Sequence, residues 1–181
     1  QAAGPGELRL GLSIPLEKAE ATQVAGSVTL GGNDVQIRPD MPVLAGARGR
    51  VDFSHKGFQI VGATARALGG EVGIDGGLQP DGSLRFNAQG IATAEGLRRA
   101  VEFAPLPLAA SALRGQAAWR AQLLVQQGRP ELTVTSDLVG LASDWPAPLD
   151  KPAAVAWPMR WQSQPVASAR ASDAPRDQLR L

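Results

Sequence analysis

An alternation of apolar and polar residues runs through the first half of the chain, and this feature restricts the fold more than any other. Leu8, Leu10 and Leu12 alternate with Arg9 and Gly11. The pattern recurs at residues 24–30, 51–53, 58–60, 72–74 and 84–86. Because successive side chains of a β-strand point to opposite faces, each segment has one apolar face. Turn residues at 31–34, 55–57, 68–70 and 80–82 separate the segments, which predicts an antiparallel meander.

The second half of the chain contains one helical pattern before the alternation returns. From Leu97 to Ala104, and including Val101, apolar residues recur at intervals of three and four,. This predicts one short helix over about 93–104, capped by Thr93 and ended by Pro105. Alternation resumes over 113–125 and 132–135, and a proline-rich extended loop follows at 143–152,.

These patterns predict a mainly β fold with about ten short strands. We expect a curved, twisted antiparallel sheet that forms an open groove or an incompletely closed sandwich or barrel, with the short helix packed on it. Gly62 and Gly73 interrupt strand patterns and predict bulges or bends that curve the sheet.

The chain divides into two unequal parts. We interpret residues 1–162 as one β-rich segment, and residues 163–181, rich in Ala, Ser, Arg and Pro, as a linker or the start of a next repeat,. The sequence opens at Gln1, without Met or a signal segment, and no apolar run reaches the ~20 residues that span a bilayer. We therefore expect any anchor or export signal to lie outside this segment.

The composition leaves little chemistry for catalysis. The 181 residues include no Cys, no Tyr and one His, and the net charge is +1. This excludes disulfides and Cys-ligated metal sites, and we expect no cofactor. The scattered charges lack the basic stripe of a nucleic-acid-binding protein. A hydrolase acting on periplasmic glycan, with His55, Asp137 or Asp144 as candidate groups, is the weakest hypothesis because no acid-base constellation is recognisable.

The strands present more apolar surface than one short helix can cover. Closure of the sheet would bury this surface as an ordinary core, whereas an open curved sheet would leave a trough suited to an acyl chain. The twelve residues expected to line the trough are Val24, Val28, Val51, Phe53, Phe58, Ile60, Val72, Ile74, Leu84, Phe86, Trp119 and Leu123.

Three stretches of sequence resemble one known family. Residues 113–119 open with Leu-Arg-Gly and end in Trp, residues 136–141 read Ser-Asp-Leu-Val-Gly-Leu, and residues 145–152 read Trp-Pro-Ala-Pro-Leu-Asp-Lys-Pro. This order resembles the AsmA-like proteins of the YhdP type, with Trp145 in place of the usual aliphatic residue. The strand patterns at 44–53 and 57–70 are similar to the family's repeats, and the resemblance covers most of residues 24–160.

The resemblance implies a segment of a bridge-like lipid transfer protein. Such a protein is anchored in the inner membrane of a Gram-negative bacterium and carries phospholipids through the periplasm to the outer membrane in an apolar β-groove. The implied partners are phospholipid acyl chains and neighbouring β segments of the same long chain, with no catalytic residue. The main alternative is a non-catalytic structural or interaction domain of a cell-envelope protein, which would dock through Trp145 and the proline-rich loop.

Overall fold

The computed structural model describes residues 2–13, 23–36, 43–103 and 106–163. One helical region separates two of the strands. It consists of α1 (Ala94–Arg99), a 3-10 turn (Val101–Phe103), α2 (Leu106–Ala109) and a second 3-10 turn (Ala110–Ala112). The strands of the described residues are β1 (Ala2–Ala3), β2 (Gly6–Ser13), β3 (Gln23–Val35), β4 (Leu44–Ser54), β5 (Gly57–Ala67), β6 (Gly70–Leu78), β7 (Leu84–Thr93), β8 (Leu113–Gln126), β9 (Arg129–Ser136), β10 (Leu141–Asp144), β11 (Asp150–Lys151) and β12 (Met159–Ser163).

These strands form one open antiparallel sheet. From β2 to β9 each strand pairs with the next in chain order, β1 extends the edge formed by β2, and β12 pairs with β9. The long strand β8 also pairs with β10, which carries β11 on its other side. The predicted antiparallel, mainly β fold is confirmed in its open form, because the ends of the described strand path do not pair with each other.

One of the two predicted bulges is present. Gly62 has a φ of +57° and lies where the β5–β6 register shifts between Ile60 and Ala63. Gly73, in contrast, pairs regularly with Thr64 on β5 and with Gln89 on β7, so the prediction of a bulge there is wrong. A Cβ at Gly73 would approach nothing closer than 4.0 Å. The strand thus does not require glycine at this position.

The helix is shorter than the predicted span of 93–104. Its cap is as expected, since the Thr93 Oγ1 accepts a hydrogen bond of 3.0 Å from the Gly96 N–H. The C-terminal end of the helix differs from the prediction, because the Ala100 N–H bonds to the Leu97 carbonyl three residues back and the chain leaves the α conformation there. Val101 is consequently 71% exposed instead of lying on the sheet. Ala104, the last residue of the predicted apolar stripe, lies outside the described residues.

The proline-rich loop contains more regular structure than its sequence indicated. The sequence predicts an extended loop over 143–152, and within it the end of β10 pairs with β11, with Ser143 opposite Lys151 and Asp144 opposite Asp150. Beyond it, the predicted linker at 163–181 lies outside the described residues except for Ser163, the last residue of β12. The division of the chain after residue 162 therefore stays a prediction.

Two small apolar clusters lie at one end of the sheet. The first consists of Ala47, Ala65, Ala67 and Val72, from β4, β5 and β6. The second consists of Ala94, Ala117 and Leu141, where α1 meets β8 and β10. Most other apolar side chains of the described strands are only partly buried, as expected of a single sheet with few elements covering it,.

Candidate functional site

All twelve residues predicted to line a trough lie on the same face of the sheet. Directly paired residues of antiparallel strands project to one side, as do alternate residues of one strand. Two of the twelve lie on each of the six strands from β3 to β8, and their pairings connect them across the sheet. We call this side the apolar face. The structure therefore brings the predicted set together, although their contact with a lipid is a separate matter.

One line of paired residues crosses the whole apolar face. It runs perpendicular to the strands through nine of them, and we call it the apolar row. Seven of its members are apolar, Gly76 interrupts it on β6 and Ser163 ends it on β12. In order across the sheet, its members are Leu8, Val28, Val51, Ile60, Gly76, Phe86, Leu123, Leu132 and Ser163.

Glycines on the apolar face make room for aromatic rings. A Cβ at Gly76 would lie 2.9 Å from Cδ1 of Phe86, on the neighbouring strand, and one at Gly26 would lie 2.6 Å from Cζ of Phe53. The rings of Phe58 and Phe86 stack from either side of β6, with their centroids 6.1 Å apart. The rings thus cover the gaps that the glycines leave, and the apolar surface continues across β6.

The opposite face carries a polar row in the same register. Asp75, Asn87, Gln122, Thr133 and Gln162 are successive partners on five strands. The Asn87 side chain donates to the Asp75 carboxylate at 2.9 Å, and the Gln122 amide donates to Asn87 Oδ1 at 3.3 Å. The Gln162 amide donates to Thr133 Oγ1 at 3.3 Å. The sheet is thus amphipathic, with solvent-compatible side chains on only one side of this region.

Exposure varies along the apolar face. The edge strand β2 exposes Leu8, Leu10 and Leu12 by 64%, 62% and 57%. Of the twelve predicted residues, Val72 is only 1% exposed, and the other eleven are half-buried. Trp119 packs on the cluster that contains Val72, and its indole Nε1 is buried without a hydrogen-bond partner. The face therefore combines one closed corner with a larger accessible part.

Sequence reasoning missed one buried charged residue, Lys151. It is 5% exposed, and its Nζ donates to the carbonyls of Leu141, Leu138 and Pro152 at 2.7, 2.8 and 3.2 Å. Three acceptors match the three N–H donors of an ammonium group. Lys151 ties the loop before β10 to β11, at the edge of the second apolar cluster. No periodic pattern indicates its burial, since β11 has only two residues.

Each of the three candidate groups for hydrolysis lies in an exposed turn or bonds to a neighbouring part of the chain. His55 is exposed in the turn between β4 and β5. Asp137 Oδ1 accepts from the Val139 N–H at 3.0 Å, and Asp144 Oδ1 pairs with the Arg114 guanidinium at 2.6 Å. Within the described ranges, no three His, Cys, Asp or Glu side chains are grouped so as to hold a metal ion. No helix among these residues is both long and apolar enough to span a bilayer.

The fold and its two unlike faces define the class of protein, an open amphipathic β-sheet protein with an accessible apolar surface. Residues 1–174 match the model of the family described as YhdP protein, and the chain belongs to the YhdP family. This is an envelope-associated family of bridge-like lipid transport proteins that is not known for enzymatic activity. No curated protein and no solved structure matches the chain significantly.

Proposed function

We propose that this chain forms part of an apolar path that carries phospholipids between the inner and outer membranes, with the acyl chains lying on the apolar face. The observation that carries the proposal is the apolar row, which crosses nine paired strands with a single glycine between its ends. Family membership supports the same function. On this proposal the chain is the periplasmic part of an inner-membrane-anchored protein, and neighbouring β segments continue its path.

The energetics favour many weak contacts over one tight site. Each methylene group removed from water contributes about 0.8 kcal/mol, so contact with part of an acyl chain suffices for binding. The row presents similar aliphatic and aromatic surface on successive strands. A chain can thus move from strand to strand without a large change in its buried area, as transport requires.

The test compares two neighbouring residues of β8 that lie on opposite faces. Leu123 belongs to the apolar row, whereas Gln122 belongs to the polar row. We expect native mass spectrometry of the chain purified from a bacterial periplasm to show co-purified phospholipid, and Leu123→Glu to retain less of it because a carboxylate in the path must be desolvated. Gln122→Glu should retain it. Phe53→Asp and Ile74→Arg should behave like Leu123→Glu.

Two outcomes would contradict the proposal. One is a folded Leu123→Glu variant that retains as much lipid as Gln122→Glu. The other is a chain that yields no phospholipid and forms no crosslinks to a photoactivatable phospholipid supplied in vesicles. Circular dichroism of each variant would verify that loss of lipid does not reflect loss of the sheet.

A second candidate function is an interaction domain of the cell envelope. The specific observation is a group of exposed apolar side chains in and beside the proline-rich loop, where Leu149, Val155 and Trp157 are 54%, 49% and 41% exposed. Leu149→Ser with Trp157→Ser would abolish such docking without changing the lipid content of the chain. Loss of lipid in that double variant would argue against a separate docking role for the loop.

A further inference from the structure

A cleft of about 730 Å³ lies at the end of the sheet that holds the two apolar clusters. Its walls come from the end of β5, from α1 and from the start of β8. Four arginines line it, Arg66, Arg98, Arg99 and Arg114, against two glutamates, Glu95 and Glu102. The wall of the cleft therefore carries an excess of two positive charges in a chain whose net charge is only +1.

The ion pairs of the described residues leave part of this charge uncompensated. Arg99 pairs with Glu95, and Arg114 pairs with Asp144. Arg98 instead donates to two neutral acceptors, the Leu113 carbonyl at 3.0 Å and the Ala110 carbonyl at 3.3 Å. The Arg66 side chain forms no hydrogen bond or ion pair within the part of the chain that the structure describes, although Arg66 lies opposite Glu71 of β6. Two guanidinium groups at the cleft thus lack a carboxylate partner, against one carboxylate, that of Glu102, whose Oε2 is buried without a hydrogen-bond partner among the described residues.

The cleft also adjoins the apolar clusters. Ala67 lines it and belongs to the first cluster, together with Val72. Ala94 lines it and belongs to the second cluster. A molecule in the cleft would therefore meet guanidinium groups on one side and apolar side chains on the other. Arginine is well suited to phosphate because its planar donors form paired, charge-assisted hydrogen bonds with phosphate oxygens.

We propose that this cleft binds the phosphate group of an amphiphile whose acyl chains extend onto the apolar face. The acyl part rests on the function proposed above, whereas the phosphate part rests on the arginines alone. The cleft would give a lipid a preferred place to enter or pause at this end of the sheet, in contrast to the uniform contacts of the apolar row.

Calorimetric titration of the chain with three soluble probes tests the proposal. Dihexanoyl phosphatidic acid carries both parts, glycerol 3-phosphate carries only the phosphate group, and dihexanoylglycerol carries only the chains. We expect the first probe to bind most tightly. The double variant Arg66→Gln with Arg98→Gln, which removes the two guanidinium groups that lack a carboxylate partner, should weaken its binding about tenfold, since charge-assisted hydrogen bonds are lost. Neither side chain is buried, so the fold should survive, and Arg66→Gln alone should show the same trend.

The matched control for Arg66→Gln alone is Arg129→Gln, which also removes one positive charge, at the exposed start of β9. It should leave the affinity unchanged. Equal weakening by Arg129→Gln would show that only net charge matters and would overturn the proposal. Unchanged affinity in the double variant would overturn it as well.

The probes also separate this proposal from the proposed function. If glycerol 3-phosphate binds as tightly as phosphatidic acid, with the same dependence on Arg66, the cleft is a site for soluble phosphate esters. That result would overturn the proposal that its ligand is an amphiphile. Leu123→Glu should weaken binding of phosphatidic acid and leave glycerol 3-phosphate unaffected. Lipid binding that depends on Leu123 and not on Arg66 would overturn the proposed phosphate site in the cleft and would not contradict the proposed lipid path on the apolar face.

Discussion

Replacing Lys151 by methionine tests whether the buried ammonium group holds the loop against the sheet. Methionine has a similar length but no donor, so the carbonyls of Leu138, Leu141 and Pro152 lose a partner at 2.8, 2.7 and 3.2 Å. A hydrogen bond from a charged donor contributes about 1.5–3 kcal/mol, and the two shorter bonds account for most of the effect. Removing the charge also relieves its desolvation cost, which offsets part of the loss.

We therefore expect Lys151→Met to lower the free energy of unfolding by about 2–4 kcal/mol. For a chain of this size, that corresponds to a melting temperature about 5–15 °C lower. Urea denaturation followed by tryptophan fluorescence measures the first quantity, and calorimetry measures the second.

The matched control is Lys56→Met, at an exposed position in the turn between β4 and β5. It should change stability by less than about 0.5 kcal/mol, as surface substitutions usually do. A Lys151→Met variant as stable as the Lys56→Met variant would refute the reasoning. It would mean that the desolvation of the ammonium group cancels its three hydrogen bonds.

Three further predictions concern single positions of the sheet and its turns. Gly76→Ala should destabilise the chain by about 3 kcal/mol or more in urea denaturation, because its Cβ would lie 2.2 Å from the Arg85 carbonyl oxygen,. Gly82→Ala, with positive φ but open space, should cost only about 1 kcal/mol,. Thr93→Ala removes a helix cap and should cost about 1 kcal/mol by the same assay, whereas Thr93→Ser should not. Hydrogen bonds from Ser83 lower the pKa of Asp81. Their stabilising effect is therefore present above the ordinary Asp pKa and is lost as pH falls through the lowered pKa. NMR titration of Ser83→Ala should show the pKa of Asp81 rising towards its ordinary value.

The faces of the strands could be predicted from the sequence because alternation is a local property. Val28, Val51 and Phe86 keep one side of their strands whichever strands they pair with, so the residues that share the apolar face could be predicted without any knowledge of the register. The choice between an open and a closed sheet depends on partners far apart in the chain, and the alternation does not encode it. That choice required the structure.

The structure at individual residues was harder to predict where it depends on backbone geometry or on contacts with other segments. Gly62 and Gly73 give the same signal in the sequence, yet only Gly62 lies at a shift of register, because the bulge depends on how β5 fits β6. The burial of Lys151 depends on the carbonyls of Leu138 and Leu141, which lie before β10 and at its start, and on that of Pro152, the next residue in the chain. The helix α1 ends at Arg99 although the apolar spacing continues, since the Ala100 N–H bonds to the Leu97 carbonyl three residues back and tightens the last turn.

The length of the apolar row distinguishes a path from a fixed site. Strands lie about 4.8 Å apart, so nine strands place the ends of the row about 38 Å from each other along the sheet. One leaflet of a bilayer core is about 15 Å thick, so an acyl chain covers less than half of the row. We expect Ile60→Glu to divide the row and still leave apolar surface on both sides, so that photoreactive residues placed at Val28 and at Leu123 continue to crosslink phospholipid in separate experiments. A single fixed site would lose its crosslinks at both positions together, and that result would contradict a path.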